Sequence, residues 1–287
     1  MFLLDKYCIF VALINKLNAM KFKKEVYEKI YSQIEALVKE GKTATDICKQ
    51  LQISKSALFR ALNKLNLQIP NYHNALKFDN TVFDVINSEE KAYWLGFLYA
   101  DGNVSSTNNI VSITLQYSDI SHLEKFNSFI KNENSVKEGI IKLNNKEYKT
   151  CKLSVCNKHF KESLIKLGCF PRKSLILRFP NLNIFTDKNL VYDFIRGYID
   201  GDGCLTFSKS GRLELSILGT KEFLSGILDV FPNKFKSIHK IKRLSTNVYK
   251  ISNCGNNADY VTSILYKNAT IYLERKYNRF AVLNRNI

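Results

Sequence analysis

Two apolar segments 101 residues apart constrain this chain more than any other feature: Trp94-Leu95-Gly96-Phe97-Leu98-Tyr99-Ala100-Asp101-Gly102 and Ile195-Arg196-Gly197-Tyr198-Ile199-Asp200-Gly201-Asp202-Gly203. Each carries small residues four apart (Gly96 and Ala100; Gly197 and Gly201), which on a helix share one face and let a second backbone come close. Each ends in Asp-Gly, and the Gly is expected to close the helix in a left-handed conformation. If the two helices pack on each other, Asp101 and Asp202 meet at adjoining helix C-termini, where two carboxylates and two negative dipole ends repel. A divalent cation relieves that repulsion, and oxygen-only ligation selects a hard ion such as magnesium, with manganese as a substitute.

The chain around these segments repeats too. At the same offset Leu123 falls on Leu224, Tyr148 on Tyr249, Lys149 on Lys250 and Leu164 on Leu265, as expected of two copies of one unit. In the first copy, periodicity predicts a helix over 93–101, a strand over 110–117, a helix over 120–130, strands over 139–143 and 148–155, and a helix over 158–167. The second copy follows with 213–218, 221–230, 238–244, 248–252 and 258–266, then an extra helix to 283. The expected fold class is α+β: tandem pseudo-symmetric αββαββα repeats, with helices on one face of each antiparallel sheet, preceded by a small all-α domain.

Alternation along the strands sets Val111, Ile113 and Leu115 against Ser112, Thr114 and Gln116, and Leu213, Leu215 and Ile217 against Arg212, Glu214 and Ser216. The polar faces, together with Lys142, Lys152, Lys209 and Lys250, are expected to form a saddle for duplex DNA. A merely solvated sheet face is the alternative.

Residues 21–68 read as helical. Val26, Ile30, Ile34 and Leu37 recur at helical spacing and Gly41 ends the run. Thr43 is placed to cap a helix over 44–51, and Ser54 a second over 55–65. The stretch from Thr43 to Leu62 resembles the helix-turn-helix of DNA-binding regulators and recombinases. It leaves Lys55, Ser56, Arg60, Asn63 and Lys64 for the major groove and its phosphates. Gln52 stands where that motif usually has Gly, so an altered turn is expected.

The formal charge of +17, from 43 Lys+Arg and 26 Asp+Glu, points to a polyanionic partner. Seven Cys, odd in number and mostly inside apolar runs, read as reduced core thiols of an intracellular, non-secreted protein of unassigned compartment. Four scattered His carry no ligand spacing, so a zinc site is not expected. The apolar run over 8–14 falls well short of the ~20 residues of a membrane span. Residues 1–19 are expected to be a tail, or to precede the true start at Met20.

The paired segments resemble the LAGLIDADG motif of homing endonucleases, and the likeness runs from about Lys91 to the C-terminus. It implies a metal-dependent endonuclease hydrolysing both strands of a long DNA site, monomeric with an internal pseudo-dimer. With no splicing-junction residues at Met1 or at Asn286-Ile287, a free-standing or intron-encoded protein is expected rather than an embedded intein. In that family the last Asp of each motif binds metal, which implies Asp101 and Asp202 as ligands, joined by the backbone carbonyls of Ala100 and Gly201. Tyr99 replaces the earlier Asp of the motif, which the second copy keeps as Asp200. A basic residue after the last helix of each repeat stands near the metal. The segments 167–174 and 273–277 resemble that block and imply Lys173 and Lys276, with Arg178, Lys149 and Lys250 as rivals. The expected organisation is a tail (1–19), a helix-turn-helix domain (20–68), a linker (69–90) and two repeats (91–185 and 186–287). Two alternatives stay open: a DNA-binding regulator or maturase-like RNA-splicing helper that kept the fold without cleavage, and a structural basic protein.

Overall fold

The computed structural model describes residues 26–69, 78–144, 146–241 and 247–284, in two compact units spanning 1–76 and 77–287. The expected tail over 1–19 lies outside the described residues, as do residues 242–244 of the strand expected over 238–244, which is described only at 239–240. Among the described residues, no helix is long and apolar enough to cross a membrane.

The first unit is helical. Helix α1 covers 26–39, and Gly41 turns the chain with φ of +73°. Helix α2 (Ala44–Leu51) opens on a reciprocal cap: Thr43 Oγ1 accepts the Asp46 amide at 3.2 Å, and the Asp46 carboxylate accepts the Thr43 amide and hydroxyl at 3.4 and 2.7 Å. These bonds hold the Asp46 carboxyl below its ordinary range. Helix α3 (Lys55–Leu65) starts where Ser54 accepts the Ala57 amide at 3.2 Å. Between them Gln52 adopts the left-handed conformation, φ 52° and ψ 37°. The tight turn is kept, and a side chain bears the strain a glycine would avoid. Ile34, Leu37, Ile47, Leu58, Ala61 and Leu62 form the small core.

The second unit is built on helices α4 (Glu89–Asp101) and α7 (Leu190–Asp202). Residues 92–99 of α4 are all buried. A helix apolar on every side needs cover on every side, and α7 and the first repeat's sheet supply it. Each helix runs directly into a strand. Strands β1 (Gly102–Val104), β2 (Ile110–Gln116), β3 (Lys137–Leu143) and β4 (Lys146–Cys156) form one antiparallel sheet in the order β1-β2-β4-β3. Strands β5 (Gly203–Phe207), β6 (Leu213–Gly219), β7 (His239–Lys240) and β8 (Tyr249–Cys254) form the other in the order β5-β6-β8-β7. Helices α5 (Ile120–Phe129), α8 (Lys221–Val230) and α9 (Asn256–Tyr266) pack on the apolar faces, α6 (Lys158–Lys166) buries Phe160 and Leu164 in the same core, and α10 (Glu274–Asn284) follows.

Four expectations are corrected. Gly102 and Gly203 are not left-handed: their φ values are −69° and −80°, and both are extended. They are small because a Cβ would lie 2.4 Å from the Leu98 oxygen or 2.6 Å from the Ile199 oxygen, where the chain leaves helix for strand. The linker expected over 69–90 ends earlier, since Val82, Phe83 and Ile86 are buried in the main core. Of the cysteines, Cys151 and Cys169 are buried, but Cys156, Cys204 and Cys254 are exposed, because strand alternation turns them outward.

The single offset of 101 is the fourth. It holds for the paired helices, but Ile113 pairs with Gly102 and Leu153 as Ile217 pairs with Gly203 and Ile251. Strands β2 and β6 therefore correspond at an offset of 104 and β4 and β8 at 98, while β1 and β5 keep 101, and Lys250 is the counterpart of Lys152, not of Lys149. Helices α6 and α9 share the 98 offset: the preceding Asn157 and Gly255 donate to Asn109 and Leu213 in equivalent bonds.

Candidate active site

The site follows from how closely α4 and α7 approach. A Cβ on Gly96 would lie 1.9 Å from the Phe194 carbonyl oxygen, and one on Gly197 would lie 1.9 Å from that of Tyr93. One turn later a Cβ on Gly201 would meet the Ala100 methyl at 2.3 Å and Asp101 Oδ2 at 3.2 Å. Small residues four apart thus bring both helices into backbone contact, and the contact carries Asp101 onto the end of the opposite helix.

Asp101 is half-buried and Asp202 open to solvent on one side. Burial lifts both carboxyls above their ordinary range. For Asp101, burial and then the Asp202 charge push it up to about 6, against the pull of Lys276, Lys173 and Arg275. Asp202 is raised by burial and drawn back by Lys173 and Lys276.

Both lysines singled out from the sequence are buried beside these acids, Lys173 at 8% exposure and Lys276 at 3%. Lys276 Nζ donates to the carbonyls of Ile199, Asp200 and Gly201 at 2.6, 2.7 and 3.2 Å, placing a cation on the negative end of α7. Burial lowers it to about 8, with Asp200 the strongest opposing influence. Lys173 Nζ donates to the Gly102 carbonyl just past the end of α4. The rivals Arg178, Lys149 and Lys250 are exposed, and Lys149 lies over the Tyr117 ring. A shallow cavity of about 220 Å³ opens between Tyr99, Lys173, Tyr198 and Asp202.

Most of the residues expected on the polar sheet faces are exposed: Thr114, Gln116, Lys152, Glu214 and Lys250, with Lys209 and Arg212 in the loop before β6. Two depart from expectation. Ser112 is only 5% exposed, because it sits between Asn103 and Ser154 in the middle of its sheet. Lys142 falls on the opposite face from Thr114 and Lys152, since Lys152 pairs with Lys137, five residues earlier on the same strand. There it ion-pairs with Glu147 at 3.0 Å. In the first unit Lys55, Ser56, Arg60, Asn63 and Lys64 are all exposed on α3, which carries no acidic residue.

A buried polar network lies beside the site. Asp200, fully buried, accepts hydrogen bonds from the Tyr93 and Tyr266 hydroxyls at 2.7 and 2.6 Å and from the Leu273 amide at 2.7 Å. The Tyr93 oxygen accepts from His122 Nε2 at 3.0 Å, because its own proton goes to Asp200. Burial holds His122 down to about 3, so the ring stays neutral. Arg196, 2% exposed, ion-pairs with Glu89 and Asp193 at 2.7 Å each and donates to the Ile271 and Leu265 carbonyls. A charged residue inside an apolar helix was the available signal for both Asp200 and Arg196. Apart from Asp193, three residues before Arg196 on the same helix, their partners lie too far away in sequence to be guessed.

No protein-family model and no curated sequence matches the chain. Solved structures do. The homing endonuclease I-WcaI bound to its DNA recognition sequence aligns with a TM-score of 0.50 at 13% identity, over 75% of this chain and 96% of that one. The I-LtrWI LAGLIDADG homing endonuclease bound to target DNA aligns at 0.44 and 14% identity, over 68% and 90%. The LAGLIDADG homing endonuclease I-GzeII in complex with its DNA target gives 0.43 and 14%, over 68% and 88%. The fold of the second unit is the LAGLIDADG endonuclease fold.

Proposed function

We propose that this chain is a site-specific DNA endonuclease that makes divalent-metal-dependent breaks in both strands of a long duplex target. The observation that carries the reading is the meeting of Asp101 and Asp202 at the ends of two backbone-contacting helices, each end held by a buried lysine. A protein that needed only a helical seam would gain nothing from two mutually repelling carboxylates there.

The donor set suits a hard cation. Asp101 and Asp202 supply carboxylate oxygens, and Ala100 and Gly201 precede them with backbone carbonyls. Among the described residues no cluster of three His, Cys, Asp or Glu offers a competing site. Magnesium or manganese bound there supplies polarisation of a phosphate oxygen and acidification of a water. The chain's own part is to hold the acids together, to keep the positive Lys173 and Lys276 beside the phosphate's developing charge, and to align the duplex. The polar sheet faces are suited to track the duplex, with exposed Thr114, Gln116, Lys152, Lys209, Arg212 and Lys250 supplying base-edge and phosphate contacts. Helices α2 and α3 are read as a helix-turn-helix, with α3 entering the major groove of flanking DNA.

The test is cleavage of a randomised duplex library in magnesium, with calcium as a binding-only control, by the wild type and by Asp101→Asn and Asp202→Asn. Discrete double-strand cuts abolished in either variant support the reading. Sequence-specific retention without cutting by the wild type assigns the chain instead to regulators or splicing helpers of this fold.

A further inference from the structure

The motif position two residues before each acid is filled by Tyr99 in one repeat and Asp200 in the other, and the chemistry above uses neither. Both residues nonetheless do the same thing. Asp200 accepts the Leu273 amide and the Tyr266 hydroxyl, at the two ends of the segment that enters α10. The Leu273 carbonyl in turn accepts the Lys276 amide at 2.9 Å, and Lys276 Nζ reaches back to the carbonyls of residues 199–201. The chain is thus closed into a ring that begins and ends on Asp200. In the first repeat the Tyr99 hydroxyl donates to the Leu167 carbonyl, over Gly168, whose φ is +96° and where a Cβ would lie 2.2 Å from that hydroxyl. Five residues beyond Gly168 comes Lys173, which reaches back to the Gly102 carbonyl.

We propose that Tyr99 and Asp200 are positioning residues, each fastening the lysine-bearing segment of its own repeat to the end of its own motif helix. The proposal rests on the nuclease reading above. Asp200 therefore governs the DNA strand served by Lys276, and Tyr99 the strand served by Lys173. An asparagine at 200 has one acceptor oxygen where the carboxylate offers two oxygens to three donors, so its amide hydrogens either face the Leu273 amide, which can only donate, or force a tyrosine hydroxyl to turn from donor to acceptor. The segment must shift, and a displacement of about 1 Å beside a reacting phosphate costs on the order of 100-fold in rate.

The experiment measures nicking of each strand separately, on a strand-labelled duplex carrying a site recovered from the library. Lys276→Met and Lys173→Met first identify the strand each lysine serves. Asp200→Asn is expected to slow the Lys276 strand by about 10- to 100-fold and leave the other within about twofold, so that nicked product accumulates. Tyr99→Phe gives the opposite bias. Tyr266→Phe, which removes one donor and keeps the carboxylate, slows the Lys276 strand less and carries the test if Asp200→Asn does not fold. Alongside, hydrogen exchange of the full chain is expected to quicken over 267–276 in Asp200→Asn and stay unchanged over 167–175. Equal slowing of both strands, a bias toward the Lys173 strand, or exchange that rises across the whole second unit overturns the proposal. If the wild type cuts nothing, the nuclease reading has failed, and the exchange data alone decide whether Asp200 fastens the segment.

Discussion

Gly96 and Gly197 each sit against the backbone of the other's helix, with no room for a single added carbon: the nearest carbonyl oxygen would lie 1.9 Å from a Cβ on either one. The obstacle is backbone on both sides, so no side chain can move aside. Gly96→Ala and Gly197→Ala are each expected to destabilise the second unit by about 3 kcal/mol or more, the upper range for overpacking. Urea unfolding of the full chain checks this against Gly139→Ala, where the new methyl meets only the Thr150 hydroxyl at 3.3 Å and the loss should be far smaller.

Arg196 is the clamp between the start of α4, α7 and the segment before α10. Truncation to methionine keeps much of its volume but takes the guanidinium from Asp193 and leaves Glu89 only the Thr270 amide and hydroxyl, each at 2.8 Å. A loss of about 3–5 kcal/mol is expected, as for other half-broken buried pairs. Thermal unfolding measures it, and a change below about 1 kcal/mol would mean that the clamp is idle.

His122 gives the fold a dependence on acid. In the native state its ring stays neutral to about pH 3, whereas in the unfolded chain it takes a proton below its ordinary value of 6.5. The unfolded state binds more protons across that window, so stability is fully present above pH 6.5 and falls as pH is lowered toward 3. Between pH 6.5 and pH 5 this one group is expected to cost about 2 kcal/mol. His122→Gln should flatten that part of the profile, and equal slopes for variant and wild type would refute the assignment.

Gln52 occupies a left-handed turn between α2 and α3. Gln52→Gly is expected to stabilise these helices by about 0.5–1 kcal/mol, with relief of strain outweighing the greater freedom of glycine in the unfolded chain. Hydrogen exchange of the α2 and α3 amides in the full chain should slow accordingly.

The two-copy plan, the paired helices and both acids were legible in the sequence because each depends on local periodicity and on small residues at fixed spacing. The lysines could be read as neighbours of the acids, but their burial and their carbonyl partners could not. The pattern likewise placed Ser112 and Lys142 among the polar contacts, whereas the sheet buries one and turns the other to its far side.

What the sequence determined by itself is whatever repeats within a few residues: helix against strand, the helix caps at Thr43 and Ser54, and the stripe that lets α4 and α7 touch. What only the tertiary structure decided is correspondence and partnership across distance. Tyr148 and Tyr249 match at the offset of the motif helices, yet strand pairing sets Tyr249 opposite Gly219 in the place that Cys151 takes opposite Leu115. Strand pairing is fixed by which side chains enter the core, and loops between strands absorb residues without penalty to either sheet. The same holds for Asp200, whose donors Tyr266 and Leu273 are brought back by the folding of its own repeat and whose third donor, Tyr93, arrives only when the two repeats close on each other.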